Sequence, residues 1–215
     1  MHGIFFEPPI ESNYIGHIMA EVFKDNIYAP YLVRKRDLTI LDIGANIGLT
    51  SYYFSKYGKV YSMEPSKQHF DIFTEMIKFN KLEDKIVPIN KALYLKSGKL
   101  PFGGPDNNKT MRSLHMATWE KGQSSEMVDA ITLTDLFKEY KIEHVDFMKL
   151  DVEGSEYEII GGGDFKAVAD KIDKILIERH AWANRNPNQL TDTLRMRGFN
   201  VTQVQSDADL IIAQR

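Results

Sequence analysis

The residue types able to do chemistry fall into two short blocks. The first is Thr39-Ile-Leu-Asp-Ile-Gly-Ala-Asn-Ile-Gly-Leu-Thr50, where an apolar run ends in a turn made of Gly44, Ala45, Asn46 and Gly48. Strand, glycine turn and helix start, in that order, form the entrance to a nucleotide-binding α/β unit. The glycines admit a ligand close to the backbone, and the helix start offers free N–H groups. The second block, Lys149-Leu-Asp-Val-Glu-Gly154, brings Asp151 and Glu153 to the carboxyl edge of a sheet, where open α/β folds place ligands. Between them lies Glu64, 20 positions beyond Gly44 and followed by Pro65. An acid there can accept both hydroxyls of an adenosine ribose, or serve only as a carboxylate at a helix terminus.

The turn discriminates between ligands. A dinucleotide fingerprint carries a glycine where this chain has Asn46, because the pyrophosphate must sit against bare backbone. A ligand without phosphates, such as S-adenosylmethionine, tolerates the asparagine. Asp42, just before the turn, suits a cationic ligand and can receive a methionine amine directly or through water. The rival is a nicotinamide-dependent oxidoreductase on the same architecture, since such enzymes also place an acid at the position of Glu64. A non-catalytic S-adenosylmethionine-binding protein is a second alternative.

Methyl transfer to an alcohol is an in-line displacement at a sulfonium methyl, so the oxygen must be aligned and its proton removed. Asp151, Glu153 and His180 are the candidate bases. Lys149 and Asp151 alternate with Leu150 and Val152 and so share one strand face. Lys149 is therefore either part of the reaction centre or half of a buried pair that holds the turn. His180, beside Glu178 after a later strand, has the ordinary structural reading of a lone histidine against it. Asp151 with Glu153 is also a weak divalent-cation signal; no metal site is assigned.

These residues need elements to position them. From Leu38 onward strand and helix patterns alternate: strands at Leu38 to Ile43, Lys59 to Met63, Lys85 to Asn90, Val145 to Leu150 and Lys174 to Glu178. A helix is expected over Leu49 to Tyr57, a second capped by Ser66 and running to Asn80, and a third over Leu133 to Tyr140 with Thr132 and Asp135 at capping-box spacing. Ser155 and Glu158 repeat that spacing before Gly161-Gly-Gly163 stops the next helix. A last helix runs from Asn188 to Arg197, and Phe199 to Val204 with Leu210 to Ala213 read as a terminal antiparallel pair. The alternation predicts one α/β domain over 38–215, with about seven strands and helices on both sheet faces.

Two segments break the pattern. Residues 1–37 form an expected helical extension whose helix, carrying Ile15, Ile18, Met19, Val22 and Phe23, is ended by Pro30. It either packs on the domain edge or acts as a lid. An insertion spans about 93–126: a small hairpin around Lys96-Ser97-Gly98-Lys99, then a polar loop holding Arg112, Ser113, His115 and Trp119, read as a substrate-side loop.

Composition narrows the class. The chain of 215 residues carries a net charge of −3, so nothing in the whole-chain charge favours nucleic acid. An N/D-P-P-Y/F amino-methylating motif is also missing. The absence of cysteine removes disulfides, thiolate metal sites and a cysteine nucleophile. No apolar run approaches the roughly 20 residues of a membrane span, and a cytoplasmic location is expected.

Taken together, Asp42-Ile-Gly-Ala-Asn-Ile-Gly48, Glu64-Pro65, Asn80 and Lys149-Leu-Asp-Val-Glu-Gly154 resemble the FkbM-type methyltransferases, over about Leu38 to His180. The resemblance implies a class I methyltransferase Rossmann-like fold, a mostly parallel seven-stranded sheet with an antiparallel last strand. It implies S-adenosylmethionine as donor, S-adenosylhomocysteine as product, and O-methylation of a hydroxyl on a small molecule or sugar. By resemblance Asp42, Gly44, Asn46 and Gly48 flank the methionine part, Glu64 binds the ribose, and Asn90, Lys91 and Ala92 lie near the adenine.

Overall fold

The computed structural model describes residues 12–32, 37–103, 114, 125–180, 186–206 and 208–215. Strand β1 (Leu38–Ile43) lies at the centre of the main sheet, parallel to β2 (Gly58–Met63) on one side and to β7 (Phe147–Leu150) on the other. β3 (Ile86–Ile89) extends the sheet beyond β2, and β8 (Lys174–Glu178) beyond β7. β10 (Leu210–Gln214) enters antiparallel between β8 and β9 (Asn200–Gln203). The order is β3-β2-β1-β7-β8-β10-β9, the expected seven strands with the last one in the chain reversed.

Burial explains why β1 reads as a continuous apolar run. Leu41 and Ile43 face one core cluster with Met148, Leu150, Ile175 and Ile177. Leu38 and Ile40 face the opposite cluster with Phe147, Leu176 and Ile212. Both faces are covered, so period-two alternation of apolar and polar residues is lost. Asp42 and Lys149, cross-strand partners in register, interrupt the second face at its carboxyl end. Two charges on the apolar side of a central strand pair mark the site.

The helices follow their caps. Ser66 accepts the His69 N–H at the start of α4 (Lys67–Phe79), which buries Phe73, Met76 and Ile77; Thr132 accepts the Asp135 N–H before α5 (Leu133–Glu139). α3 (Leu49–Phe54) is shorter than the expected Leu49 to Tyr57. Ser155 precedes α6 (Glu156–Gly161) but makes no side-chain cap bond, so the expected Ser155–Glu158 capping box does not form. The neighbouring Glu156 takes over, accepting the backbone N–H groups of Val152 and Gly154. α7 (Gly163–Val168) begins within the glycine run, and α8 spans Pro187–Met196 behind an Asn186 cap.

The N-terminal segment differs from expectation in detail. α1 (Ser12–Met19) continues as a π-helical turn, Ala20–Lys24, and ends there rather than at Pro30. Asn26 turns the chain at φ 56°, and Pro30 sits inside the short α2 (Ala29–Leu32). Met19 is 39% exposed, off the buried face, whereas Val22, Tyr28 and Leu32 are core residues. Edge contacts of Phe23 with Tyr52 and Tyr53, and of Tyr28 with Phe54, fasten the segment to α3.

The expected hairpin is replaced by a separate three-stranded sheet. β6 (Ser125–Ile131) lies between β4 (Ala92–Leu93) and β5 (Gly98–Gly103), so those two runs never pair. The third partner comes from beyond the polar loop, out of reach of local pattern reading. Arg112, Ser113, His115 and Trp119 lie outside the described residues; Leu114, between them, is buried against Leu100, Phe102 and Val128. No helix among the described residues is long and apolar enough to cross a membrane.

Gly58, opposite Leu38, tests the tightness of the central pair. A Cβ there would lie 2.0 Å from the Leu38 carbonyl oxygen and 2.4 Å from its nitrogen, both backbone atoms with nowhere to go. Gly58→Ala is expected to cost about 2–3 kcal/mol by overpacking. The measurement is a urea transition whose midpoint falls while its slope is unchanged.

Candidate active site

The β1–α3 turn is shaped by contacts no side chain allows. At Gly44, φ is +83° and a Cβ would meet the Asp151 carbonyl oxygen at 1.8 Å. The two strand ends therefore touch directly, and the Asp151 N–H donates to the Ile43 carbonyl at 3.1 Å. Gly48, at φ +91°, would strike the Phe73 ring and Met76. Asn46 turns at φ 53°, and its N–H donates to Glu64 Oε2 at 2.9 Å. The Ser66 N–H donates to Glu64 Oε1 at 2.8 Å, so this one carboxylate fastens the glycine turn to the end of β2. Each oxygen keeps a lone-pair site for a further donor. Burial, partly opposed by these two N–H groups, raises the Glu64 pKa to about 7.

Lys149 is the pivot of the opposite wall. Its Nζ donates to the Gly44 carbonyl at 2.9 Å and to Asp151 Oδ2 at 3.0 Å, and lies 3.9 Å from Asp42 Oδ1. Burial alone would lower its pKa, but the charges of Asp151 and Asp42 outweigh that and hold the ammonium firmly. Asp42 is fully buried; its Oδ2 accepts from the hydroxyls of Thr50 and Ser51, and its Oδ1 has no hydrogen bond. Burial raises the pKa of Asp42 despite Lys149 and the two hydroxyls. Burial also pushes Asp151 upward, but Lys149 and His180 overcome it and leave that carboxylate below its ordinary value.

His180 is enclosed by acids. Its Nδ1 lies 3.0 Å from Glu156 Oε1, and its Nε2 lies 3.3 Å from Glu153 Oε2 and 3.9 Å from both Asp151 and Glu178. Burial disfavours its charge, yet the bond to Glu156 and the charges of Glu156, Asp151 and Glu153 raise its pKa to about 10. As an imidazolium it has no lone pair for a proton or a metal. Ligand atoms of Asp151, Glu156 and His180 lie within 4.8 Å of one another, a different set from the Asp151–Glu153 pair weighed from sequence. The Nδ1–Glu156 bond accounts for that proximity.

Glu153 stands apart from the other acids. It sits at φ 53°, a left-handed conformation that is strained for a side chain with a Cβ and that recurs at functional sites. Its Oε2 is buried with no hydrogen bond. Burial first, and the charge of Asp151 second, raise its pKa to about 7. Glu178 is raised to about 8, chiefly by Asp151 and then by burial.

Two cavities meet over this cluster and share Gly44, Asn46, Asp151 and Glu153. The first, with about 670 Å³ of empty space, places Glu64 and Pro65 beside the apolar surfaces of Met63, Leu93, Phe102 and Leu114. The second, about 760 Å³, runs under the N-terminal segment, between Ile18, Val22 and Tyr28 on one side and Lys149 and Glu178 on the other.

Most residues singled out in the sequence converge here. Lys91 and Ala92 line the first cavity, and Ala45 the second. Asn90, Asp42, Gly48 and His180 line neither. The Asn90 amide donates to the carbonyls of Glu64 and Pro65 and so holds the β2 turn from behind. Glu156, Tyr28 and Leu114 were missed. A third acid in Asp-x-Glu-x-x-Glu was the available signal for Glu156; the other two come from segments whose place only the tertiary structure reveals.

The comparisons agree with this geometry. The family model described as the methyltransferase FkbM domain matches residues 42–201. Among curated relatives, Methyltransferase sdnD of Sordaria araneosa is 24% identical, over 88% of this chain and 84% of that protein. Hexuronic acid methyltransferase AglP of Haloferax volcanii is also 24% identical, over 84% of this chain and 72% of that one. The crystal structure of methyltransferase FkbM from Methylobacillus flagellatus superposes with a TM-score of 0.58 at 16% identity, covering 86% of this chain but only 45% of its own. SMU.1697c of Streptococcus mutans, solved in complex with SAH, matches with a TM-score of 0.53 at 10% identity, over 88% and 96% of the two chains. At such identities the structures establish the fold, a class I methyltransferase sheet. The family model spans most of the chain and meets the same glycine turn and acidic strand end: this protein belongs to the FkbM methyltransferase family.

Proposed function

We propose that the protein is an S-adenosylmethionine-dependent O-methyltransferase acting on a hydroxyl of a small molecule or sugar, with Glu153 as general base. The observation that carries this reading is the junction of the two cavities at Gly44, Asn46, Asp151 and Glu153. One cavity has the surfaces a nucleoside needs, an acid for the ribose hydroxyls and apolar walls for the base. The residues present fit the donor: the acids outnumber their cations, which suits a ligand whose sulfonium, ammonium and carboxylate leave it with one net positive charge. The relative named as a hexuronic acid methyltransferase supports a sugar as acceptor.

In this reading Glu64 receives the ribose hydroxyls on the lone pairs its two N–H partners leave open. Lys91, Ala92 and Leu93 border the adenine, while Asn90 acts from behind by clasping the β2 turn. Asp42 holds the glycine turn through Thr50 and Ser51, and its Oδ1 reaches the methionine amine through water. Lys149 keeps Asp151 ionised and pins Gly44, a positioning role. S-Adenosylmethionine supplies an electrophilic methyl on a sulfonium; the C–S electron pair leaves with sulfur as the acceptor oxygen forms the new C–O bond. Glu153 takes the hydroxyl proton. Its pKa of about 7 matches proton transfer near neutral pH. His180, held as an imidazolium, keeps Glu153 oriented and is not the base.

Three outcomes test this reading. Calorimetric titration with SAH should show affinity rising with pH through about 7, as Glu64 ionises and becomes a pure acceptor; Glu64→Gln should weaken binding by roughly tenfold, the loss of one to two charge-assisted hydrogen bonds, and flatten that dependence. Glu153→Gln should keep SAH affinity within about threefold while lowering labelled-methyl transfer to hydroxylated acceptors on the order of 10²-fold or more. Normal turnover in that variant sinks the assignment of the base. Exhaustive chelation followed by dialysis should leave transfer intact; activity lost on chelation and restored by one divalent cation would instead place a metal at Asp151, Glu156 and His180.

A further inference from the structure

Tyr28 is a phenol whose ring serves the fold and whose hydroxyl does not. The residue is 4% exposed and lines the second cavity. Its ring stands edge-on to Phe54, with centroids 5.0 Å apart, and tilted against Tyr53 at 6.1 Å. Those contacts account for its place in the core. The hydroxyl makes no hydrogen bond among the described residues. The other hydroxyl and the ammonium on the same lining are engaged: Thr50 donates to Asp42, and Lys149 to the Gly44 carbonyl and Asp151. A polar group left without a partner in a buried residue costs the fold something, and here it faces a cavity. Phe54 and Tyr53 belong to α3, which leaves the glycine turn directly. The phenol is therefore held beside Gly44, Ala45 and Asn46, within the fields of Lys149, Asp42 and Asp151. Burial raises its pKa against the opposing charge of Lys149, so it remains an O–H donor.

We infer that Tyr28 is a donor-binding residue whose hydroxyl hydrogen-bonds the carboxylate of the methionine part of S-adenosylmethionine. The inference rests on the donor reading above and adds a residue to that same site. The methionine part carries two opposite charges, and the acids around the glycine turn can serve only its ammonium. Its carboxylate needs N–H or O–H groups. A neutral phenol supplies one without the desolvation that a second buried cation would bring. A hydrogen bond to an ionised oxygen is also stronger than one between neutral groups. The N-terminal segment thus does more than cover the cavity: it reaches the end of the donor farthest from the adenine.

The test is a cycle of four calorimetric titrations: SAH and its decarboxylated analogue, each into the wild-type protein and into Tyr28→Phe. The variant keeps both ring contacts and loses only a hydroxyl that has no partner in the ligand-free protein, so its urea midpoint should not fall. It should bind SAH roughly tenfold more weakly, the loss of one hydrogen bond to a charged group, and the decarboxylated analogue within about twofold of wild type. A merely structural role would weaken both ligands alike. Equal weakening of the two, unchanged SAH affinity, or a lowered urea midpoint each overturns the inference. The wild-type titrations separate the two levels: if neither ligand binds the wild-type protein, the donor reading itself fails, and the role of Tyr28 falls with it.

Discussion

Everything at the carboxyl edge of the sheet depends on one buried cation. Lys149 lies in register with Asp42 on the central strand pair and reaches the Gly44 carbonyl and Asp151 together. A lone ammonium in a protein interior is costly, and a lone carboxylate equally so. Here each makes the other tolerable, and the contact also fixes distance. Gly44 can approach the Asp151 carbonyl only because neither strand end is free to move away. Removing the ammonium would leave Asp42 and Asp151 buried and repelling each other at the place where the chain must turn twice.

The same cation explains why chemically similar acids diverge. Asp151, bonded to Lys149 and near His180, stays ionised below its ordinary range. Glu153, two residues on, lacks the direct bond to Lys149, and burial with the charge of Asp151 raises it to about 7. Two carboxylates on one loop are thus shifted in opposite directions by their surroundings. His180 follows from the converse. Ringed by Glu156, Glu153 and Asp151, it has its pKa raised to about 10 against the burial that would lower it.

The sheet and the glycine turn were legible because their signals are local. Alternating strands and helices, Ser66 and Thr132 as caps, and a glycine turn with Asp42, Glu64 and the Lys149 to Gly154 block each depend on neighbours in the chain, and the fold preserves those relations. What could not be read depends on partners far apart in sequence. β4 and β5 resembled a hairpin because the strand that separates them, β6, arrives only after the polar loop. Ser155 matched a capping box, but Glu156 was closer to the Val152 and Gly154 N–H groups that needed an acceptor. Tyr28 carried no signal at all, since a tyrosine after a helix end has no pattern of its own.

That division has a consequence for the acceptor. The glycine turn, Glu64 and the Lys149 to Gly154 block lie at the sheet edge, within the residues 42–201 that the family model matches. The wall facing the second cavity comes from Ile18, Glu21, Val22 and Tyr28, all before that boundary. Membership in the family therefore constrains methyl donation strongly and acceptor choice hardly at all, since function at that wall is grafted onto a common scaffold. For this chain that wall is held by the packing of Tyr28 on Phe54, which fastens the N-terminal segment to α3. The segment thus joins fold to cavity: the aromatic contacts that fasten it to α3 also set one wall of the second cavity.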